Sequence, residues 1–434
     1  MQKLIPKLKE YGIDSNTIYS FASKGVAMVF FFATDIFLAR ILPISVYGEW
    51  SYFYALIVVC FWFCWMGINA SSRVYIAEEA EKNELLLTCI RTTFIIRIIS
   101  GAGVAIALFV IAPLIYPFFK SQTYPDLGIL FSLAAFIVFF NSINEYIKSI
   151  WIGLRKQKYL FWQTLTEFLC LFLIVFGLVS LYRASFFIGI SYIASFFLSS
   201  IVGIVILIYY VKKNHISDTM KPAPGYWKKI VKYAIPLWIM SIGAVIQLEI
   251  GAIMVGALNT PEEVAVYSVA KKISDKAIHI NLAYIFSIIP AFAVITSENV
   301  QDKLSLLKKS IIINTGIAII TALVLLGTGM FLVTILYGEQ YTKSTEVLFM
   351  FIPYYFLFAL ASIFFHFLEY QKIVFARNLA FFGMVVINIA LNYILIPNFG
   401  ALGAAIASSI SVFPFLLTVI VISVRLLRSY AIKC

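Results

Sequence analysis

From residue 17 onward the chain alternates long apolar runs with short polar joints. The runs cover 17–41, 47–70, 92–119, 127–152, 160–181, 185–211, 230–257, 264–292, 310–336, 347–370, 379–397 and 401–427. Each has about 20 residues or more, enough to cross the hydrocarbon core of a bilayer as a helix. None shows sustained alternation of period two. Backbone groups inside a bilayer must be satisfied within the segment itself, so the runs are read as helices. The pattern predicts an all-α integral membrane protein of about twelve transmembrane helices. Composition removes the soluble alternative: 62% of the 434 residues are hydrophobic, 12% are charged, and the mean hydropathy is +0.96. The 40 Phe and 25 Tyr suit lipid-facing and interfacial surfaces.

One run breaks the apolar rule. Val264–Ala283 (VAVYSVAKKISDKAIHINLA) carries Lys271, Lys272, Asp275, Lys276 and His279. At the α-helical turn angle these five fall in one arc of about 140°, which Ser268 joins. Val266, Val269, Ile273, Ala277 and Ile280 fill the other side. Two arrangements fit. One is a membrane-spanning helix whose charged stripe faces a water-filled cavity. The other is a surface helix followed by a short span from about Ala277 to Ile295.

The net charge of +12 is better explained by orientation than by nucleic-acid binding. With the N-terminus placed in the cytoplasm, 22 of the 33 basic residues fall in inner segments and 4 (Arg40, Lys120, Arg183, Lys343) in outer ones. The remaining 7 lie in or beside spans. Such a bias fixes orientation, with both termini cytoplasmic. It also favours the spanning reading of Val264–Ala283, because an outer loop should not hold three lysines. Residues 1–15 read as a short basic amphipathic segment on an anionic membrane surface. Nothing resembles a cleavable signal peptide. No phosphate-binding glycine loop is present. The five cysteines lack zinc-like spacing, and Cys60 and Cys64 are expected as buried thiols. No cofactor, no metal and no catalytic triad is expected; the chain is read as a non-enzyme.

A weak repeat runs through the chain. Gly189–Ser195 (GISYIAS) aligns with Gly403–Ser409 (GAAIASS), an offset of 403 − 189 = 214. Gln157–Phe161 (QKYLF) and Gln371–Phe375 (QKIVF) share that offset, and Leu42–Tyr47 lies beside Leu258–Glu263 at 216. Three matches in chain order predict two homologous six-helix bundles around a central cavity: 1–215, a cytoplasmic linker 216–229, and 230–434. Parallel repeats of this kind place substrate between the halves.

Charges inside a bilayer cost at least about 2.5–3.5 kcal/mol each, so they are functional candidates. The substrate-binding set is Lys24, Arg40, Lys271, Lys272 and Lys276, cations suited to phosphate or carboxylate. The ion-coupling set is Asp35, Glu249, Asp275 and His279, with an internal ion pair as the alternative for Asp35 and Glu249. Glu145 and Lys148, spaced i,i+3, are expected to pair with each other. Arg97 is expected to snorkel, and Glu167 to lie at the interface. Pro236, Pro290, Pro353 and Pro414 fall inside spans, where they permit bends. Gly400, Gly403, Ala404, Ala407, Ser408 and Ser411 form a face for close helix packing. His366 is expected to be hydrogen-bonded structure.

Four motifs resemble the Wzx-type polysaccharide flippases of the multidrug/oligosaccharidyl-lipid/polysaccharide exporter superfamily. Leu38–Gly48 (LARILPISVYG) is similar to the family's junction after its first helix. Tyr233–Leu237 (YAIPL) is similar to the start of its seventh, and Val264–Ala270 (VAVYSVA) to the start of its eighth. Asn392–Ala405 (NYILIPNFGALGAA) resembles its last and most specific motif. The resemblance implies rocking alternating access and a multi-pass protein of the bacterial cytoplasmic (inner) membrane. It implies an undecaprenyl-diphosphate-linked oligosaccharide, an O-antigen or capsule repeat unit, moved to the outer leaflet. Expected partners are that glycan lipid, membrane lipids, a proton or sodium gradient, a polysaccharide polymerase and a chain-length regulator. The sequence departs from the family at Gly251, where many members carry Asp, and at Ala265, where they carry Gly. The lipid II flippase branch has a basic residue where this chain has Thr34. A multidrug exporter of the same superfamily is the nearest alternative, though its cationic drugs would favour an acidic cavity. A membrane polysaccharide polymerase is the alternative from another class.

Overall fold

The computed structural model describes residues 15–82, 84–115, 124–222, 224–292 and 300–432. The basic N-terminal segment 1–14, Lys120 and Lys433 lie outside them. The described residues form helices and short connections, with no strand among them. In chain order the helices are α1 Ser15–Ile41, α2 Ile44–Trp65, α3 Ile68–Lys82, α4 Leu86–Ile115, α5 Leu127–Gly153, α6 Gln157–Tyr182 and α7 Ser185–Lys213. Then come α8 Tyr226–Leu258, α9 Pro261–Ile288, α10 Val300–Tyr337, α11 Lys343–Tyr370 and α12 Val374–Ile432. Among the described residues, ten stretches are long and apolar enough to cross a membrane. One of them, within α12, is broken at Gly400 (φ 56°, ψ −133°) and so holds two helices. α9 has the length, at 28 residues, but carries the charged stripe. With α12 counted as two and α9 included, each of the twelve predicted runs corresponds to a helix of the described residues.

Two compact units divide the chain, Met1–Val245 and Ile246–Cys434. In the first, α1 lies along α6 through aromatic pairs. Tyr19–Phe161, Phe30–Phe172, Phe31–Phe168 and Phe37–Phe176 have ring centroids 5.1–6.4 Å apart. Each such pair contributes about 0.5–1.5 kcal/mol beyond its buried area. A second cluster joins α3, α4, α5 and the start of α8 around Tyr75, Ile90, Tyr146, Trp151 and Ile230. In the second unit Ile285, Phe292, Phe367, Met384 and Phe415 form the core at one end.

The stretch after the second apolar run, an inner segment outside the predicted spans, forms helix α3, set off from α2 by a sharp break. Met66 (φ 40°) and Gly67 (φ 68°) take left-handed backbone conformations there. A side chain at Gly67 would fall on the backbone of Ala234, so glycine is needed both for its φ and for that close approach. The break leaves the last carbonyls of α2 without helical partners. Arg97 supplies one: its Nη1 donates to Cys64 O at 2.5 Å and its Nε to Ser142 O at 3.0 Å. Arg97 is completely buried. It does not snorkel, because backbone acceptors from two helices reach it inside the bundle. Of the prolines, Pro236, Pro353 and Pro414 lie within helices, whereas Pro290 falls in the 3-10 turn Ile289–Phe292 that ends α9.

Polar contacts at helix ends group the joints as alternating topology requires. In the first unit, Asp126 N donates to Glu49 Oε1 at 2.9 Å. Asp218 accepts from Leu87 N at 2.8 Å and Thr88 N at 2.9 Å, capping α4 from a distant loop. In the second unit Glu263 accepts from Ala401 N at 2.8 Å and pairs with Lys343.

Candidate functional site

Helix α9 runs without interruption from Pro261 to Ile288. From Val264 to Ala270 every residue is buried, so this first part is a packed core helix. Beyond it the charged stripe emerges. Lys271, Lys272, Asp275 and Lys276 are partly covered and His279 is exposed, while Ile273, Ser274, Ala277 and Ile278 are buried behind them. Ile280, expected on the buried side, is 53% exposed. Lys271 Nζ pairs with Asp275 Oδ2 at 2.7 Å, one helical turn on. Glu249 of α8 lies within electrostatic reach of Lys271, Lys272 and Asp275. His279 is coupled in the same way to Lys276, Asp275 and Lys271. The structure therefore brings six sequence-predicted residues of the second unit into one cluster.

The back of α9 is held by amides. Asn281 donates to Asn314 Oδ1 at 2.9 Å, Tyr355 Oη donates to Asn281 Oδ1 at 2.6 Å, and Asn314 donates to Ala359 O at 2.9 Å. This fixes the rotation of α9 and hence the direction of its stripe. Gly251, where the family often carries Asp, faces Tyr267: an added Cβ would overlap the tyrosine hydroxyl. In this chain the space is taken by an aromatic ring, and the acid stands two residues earlier, at Glu249.

In the first unit Lys24 stands apart from Asp35 on the same helix. Asp35 is buried and accepts a hydrogen bond from Tyr47 Oη at 3.1 Å. Lys24 and Arg40 are exposed on α1. Eleven residues separate Lys24 from Asp35, about 16 Å along a helix. A different constellation occupies the interior instead. Lys148 pairs with Glu145 at 2.7 Å, as expected, and also with Glu167. Glu167 was expected at the interface; it is buried, with a side chain only 4% exposed. It accepts from Asn144 Nδ2 at 2.7 Å. Gln163 donates to Asn144 Oδ1 at 2.9 Å and accepts from Trp151 Nε1 at 2.9 Å, and Ser199 donates to Asn144 Oδ1 at 2.8 Å. One sequence signal could have placed Glu167 inside: Gln163, Thr164 and Glu167 share a helix face, and all three are buried.

A cavity of about 260 Å³ opens beside this network, between α1, α2, α5, α6 and α7. Elsewhere, Ser408 and Ser411 of the small-residue face bond Asn388 at 3.4 and 3.3 Å. His366 contacts Glu369, which also binds Arg377 at 2.7 Å. Among the described residues no group of three or more His, Cys, Asp or Glu could hold a metal ion.

The profile of a family described as polysaccharide biosynthesis protein matches residues 13–296, more than half the chain. No curated protein matches the sequence. Solved structures match over nearly its whole length. A lipid II flippase, MurJ, in an inward closed conformation, superposes with a TM-score of 0.69 at 13% identity, over 93% of this chain and 87% of that one. An inward-facing multidrug resistance MATE family transporter gives 0.74 at 13% identity, over 95% and 98%. A transporter from Pyrococcus furiosus, described as having a binding pocket of reversed polarity, gives 0.59 at 15% identity, over 95% of each chain. At these identities the likeness establishes the fold. The chain thus belongs to the polysaccharide biosynthesis protein family, and its fold is that of the multidrug/oligosaccharidyl-lipid/polysaccharide superfamily of membrane transporters.

Proposed function

We propose that the protein is a flippase. It carries an undecaprenyl-diphosphate-linked oligosaccharide, an O-antigen or capsule repeat unit, from the inner to the outer leaflet of the bacterial cytoplasmic membrane. The supporting observation is the half-covered cationic stripe of α9 in a chain of the polysaccharide biosynthesis family. Three lysines there stand against two carboxylates, Asp275 and Glu249, leaving one positive charge in excess. A diphosphate is the group such a stripe would hold, with lysine ammoniums acting as point charges. Lys271, Lys272 and Lys276 are its contacts in the second unit, and Lys24 and Arg40 are assigned as lipid-headgroup contacts of the first unit by itself. Asp35, Glu249, Asp275 and His279 are assigned to coupling with a proton or sodium gradient in an alternating-access cycle. A polysaccharide polymerase and a chain-length regulator would act on the delivered lipid. The role is transport, not catalysis.

The test uses purified protein in sealed vesicles loaded with a polyprenyl-diphosphate-linked oligosaccharide. An external glycosidase reads how fast glycan reaches the outer leaflet. Glycan should appear faster than in protein-free vesicles, and slow again when the ion gradient is collapsed. Equal rates with and without protein would overturn the proposal; indifference to proton and sodium gradients would overturn the coupling.

A further inference from the structure

The cavity of the first unit has a chemistry of its own. Eight of its thirteen lining residues are aromatic. Trp62 and Trp65 lie 4.7 Å apart at 51°, and Tyr54 and Tyr192 5.6 Å apart at 55°, so ring faces and edges meet the space from several directions. Two polar atoms of its lining have no hydrogen-bond partner among the described residues. They are Asn141 Oδ1, on a side chain only 6% exposed, and the buried Trp65 Nε1. One is an acceptor and the other a donor. A buried polar atom left unpaired costs about 1–3 kcal/mol, which a matching ligand would recover.

Aromatic walls with carboxylates can also enclose an organic cation. The charges here argue against one. Glu145 and Glu167 are both bound by Lys148, and Arg73 and Arg97 lie within electrostatic reach of Glu145. The carboxylates are neutralised by the protein itself, yet their remaining lone pairs can accept hydrogen bonds. What fits is a neutral ligand with an apolar face, and with hydroxyls that both donate and accept.

We infer that this cavity is a sugar subsite that takes one neutral pyranose ring. The C–H face of the ring packs on Trp62 and Trp65. One hydroxyl donates to Asn141 Oδ1, another accepts from Trp65 Nε1, and Glu145 and Glu167 receive further hydroxyls. The volume is enough for one ring and too small for a repeat unit. The inference rests on the flippase reading and adds a glycan contact separate from the diphosphate contacts of α9.

Saturation-transfer NMR on the intact protein in detergent tests it, with methyl hexopyranosides as probes and tetramethylammonium as the cationic control. The hexosides should receive saturation, and tetramethylammonium should not displace them. Asn141→Ala and Trp65→Leu, each checked for an unchanged melting profile, should weaken hexoside binding about tenfold, the loss of one buried hydrogen bond. No saturation of any hexoside, displacement by tetramethylammonium, or unaltered binding in both variants would overturn the inference. The vesicle assay separates the two proposals. Hexoside binding without translocation would overturn the flippase reading and leave the subsite. Translocation without hexoside binding would overturn the subsite alone.

Discussion

Replacing Lys148 by methionine would leave the buried Glu167 without its cation, beside the partly buried Glu145. Breaking a buried ion pair on one side costs about 3–5 kcal/mol. Lys148→Met should therefore lower the midpoint of thermal unfolding sharply, and adding Glu167→Gln should restore part of it. An unaltered midpoint in Lys148→Met would show that the triad is not formed. A second residue-scale outcome concerns Gly251. Gly251→Ala presses a methyl into Tyr267 and should destabilise by about 1–3 kcal/mol. In a Tyr267→Leu background the same change should cost less, which unfolding measurements on the double mutant would show. The pairing of Glu145 with Lys148 was legible, because i,i+3 neighbours on a helix meet whatever the tertiary structure. Glu167 and Arg97 were not. Their partners come from other helices, and for Arg97 those partners are backbone carbonyls, which leave no mark in a side-chain pattern.

Two breaks divide what would otherwise be continuous helices, at Met66–Gly67 and at Gly400. Gly400 has φ 56° and ψ −133°, and an added Cβ would meet the Glu263 carboxylate that caps Ala401 N. Gly400→Ala should cost about 1–3 kcal/mol in strain, seen as a lower unfolding midpoint. Asp218→Ala removes the remote cap of α4 and should cost about 0.5–2 kcal/mol. Hydrogen exchange should report it as faster exchange at Leu87 and Thr88, with the rest of α4 unaffected. The spans themselves were legible because bilayer crossing demands apolar length, and their limits differ from the observed helix ends by six residues or fewer, except at α10, which begins ten residues earlier at Val300. Helix α3 escaped because its mixed polar sequence, INASSRVYIAEEAEK, lacks that apolar signal. It is held by Tyr75 and Ile76 packing on α4 and α5. The stripe of α9 was legible from helical geometry alone. Its angular setting was not, since the Asn281–Asn314–Tyr355 contacts that fix it cross between helices.

At the scale of the molecule the repeat reaches further than the motifs that revealed it. The offset of 214 also pairs Asp35 with Glu249 (249 − 35), and Glu49 and Glu263 stand near the starts of α2 and α9, beside the match at 216. Each of the latter two accepts a hydrogen bond from the backbone N–H of a distant segment. The distribution of basic residues makes a topological prediction. In a cysteine-free background, Lys156→Cys and Lys213→Cys should react with an impermeant thiol reagent only from the cytoplasmic side, and Arg183→Cys and Lys343→Cys only from outside. Labelling of Lys156→Cys and Lys343→Cys from the same side would break the alternating layout.

The central claim is that the lysines of the α9 stripe hold the anionic head of a glycan lipid while it crosses. It is tested most directly by the glycan translocation rate in vesicles bearing Lys271→Gln, Lys272→Gln and Lys276→Gln together, at matched protein levels. The account predicts a fall of at least about tenfold, the loss of a few charge-assisted contacts. A rate equal to that of the unaltered protein would contradict it.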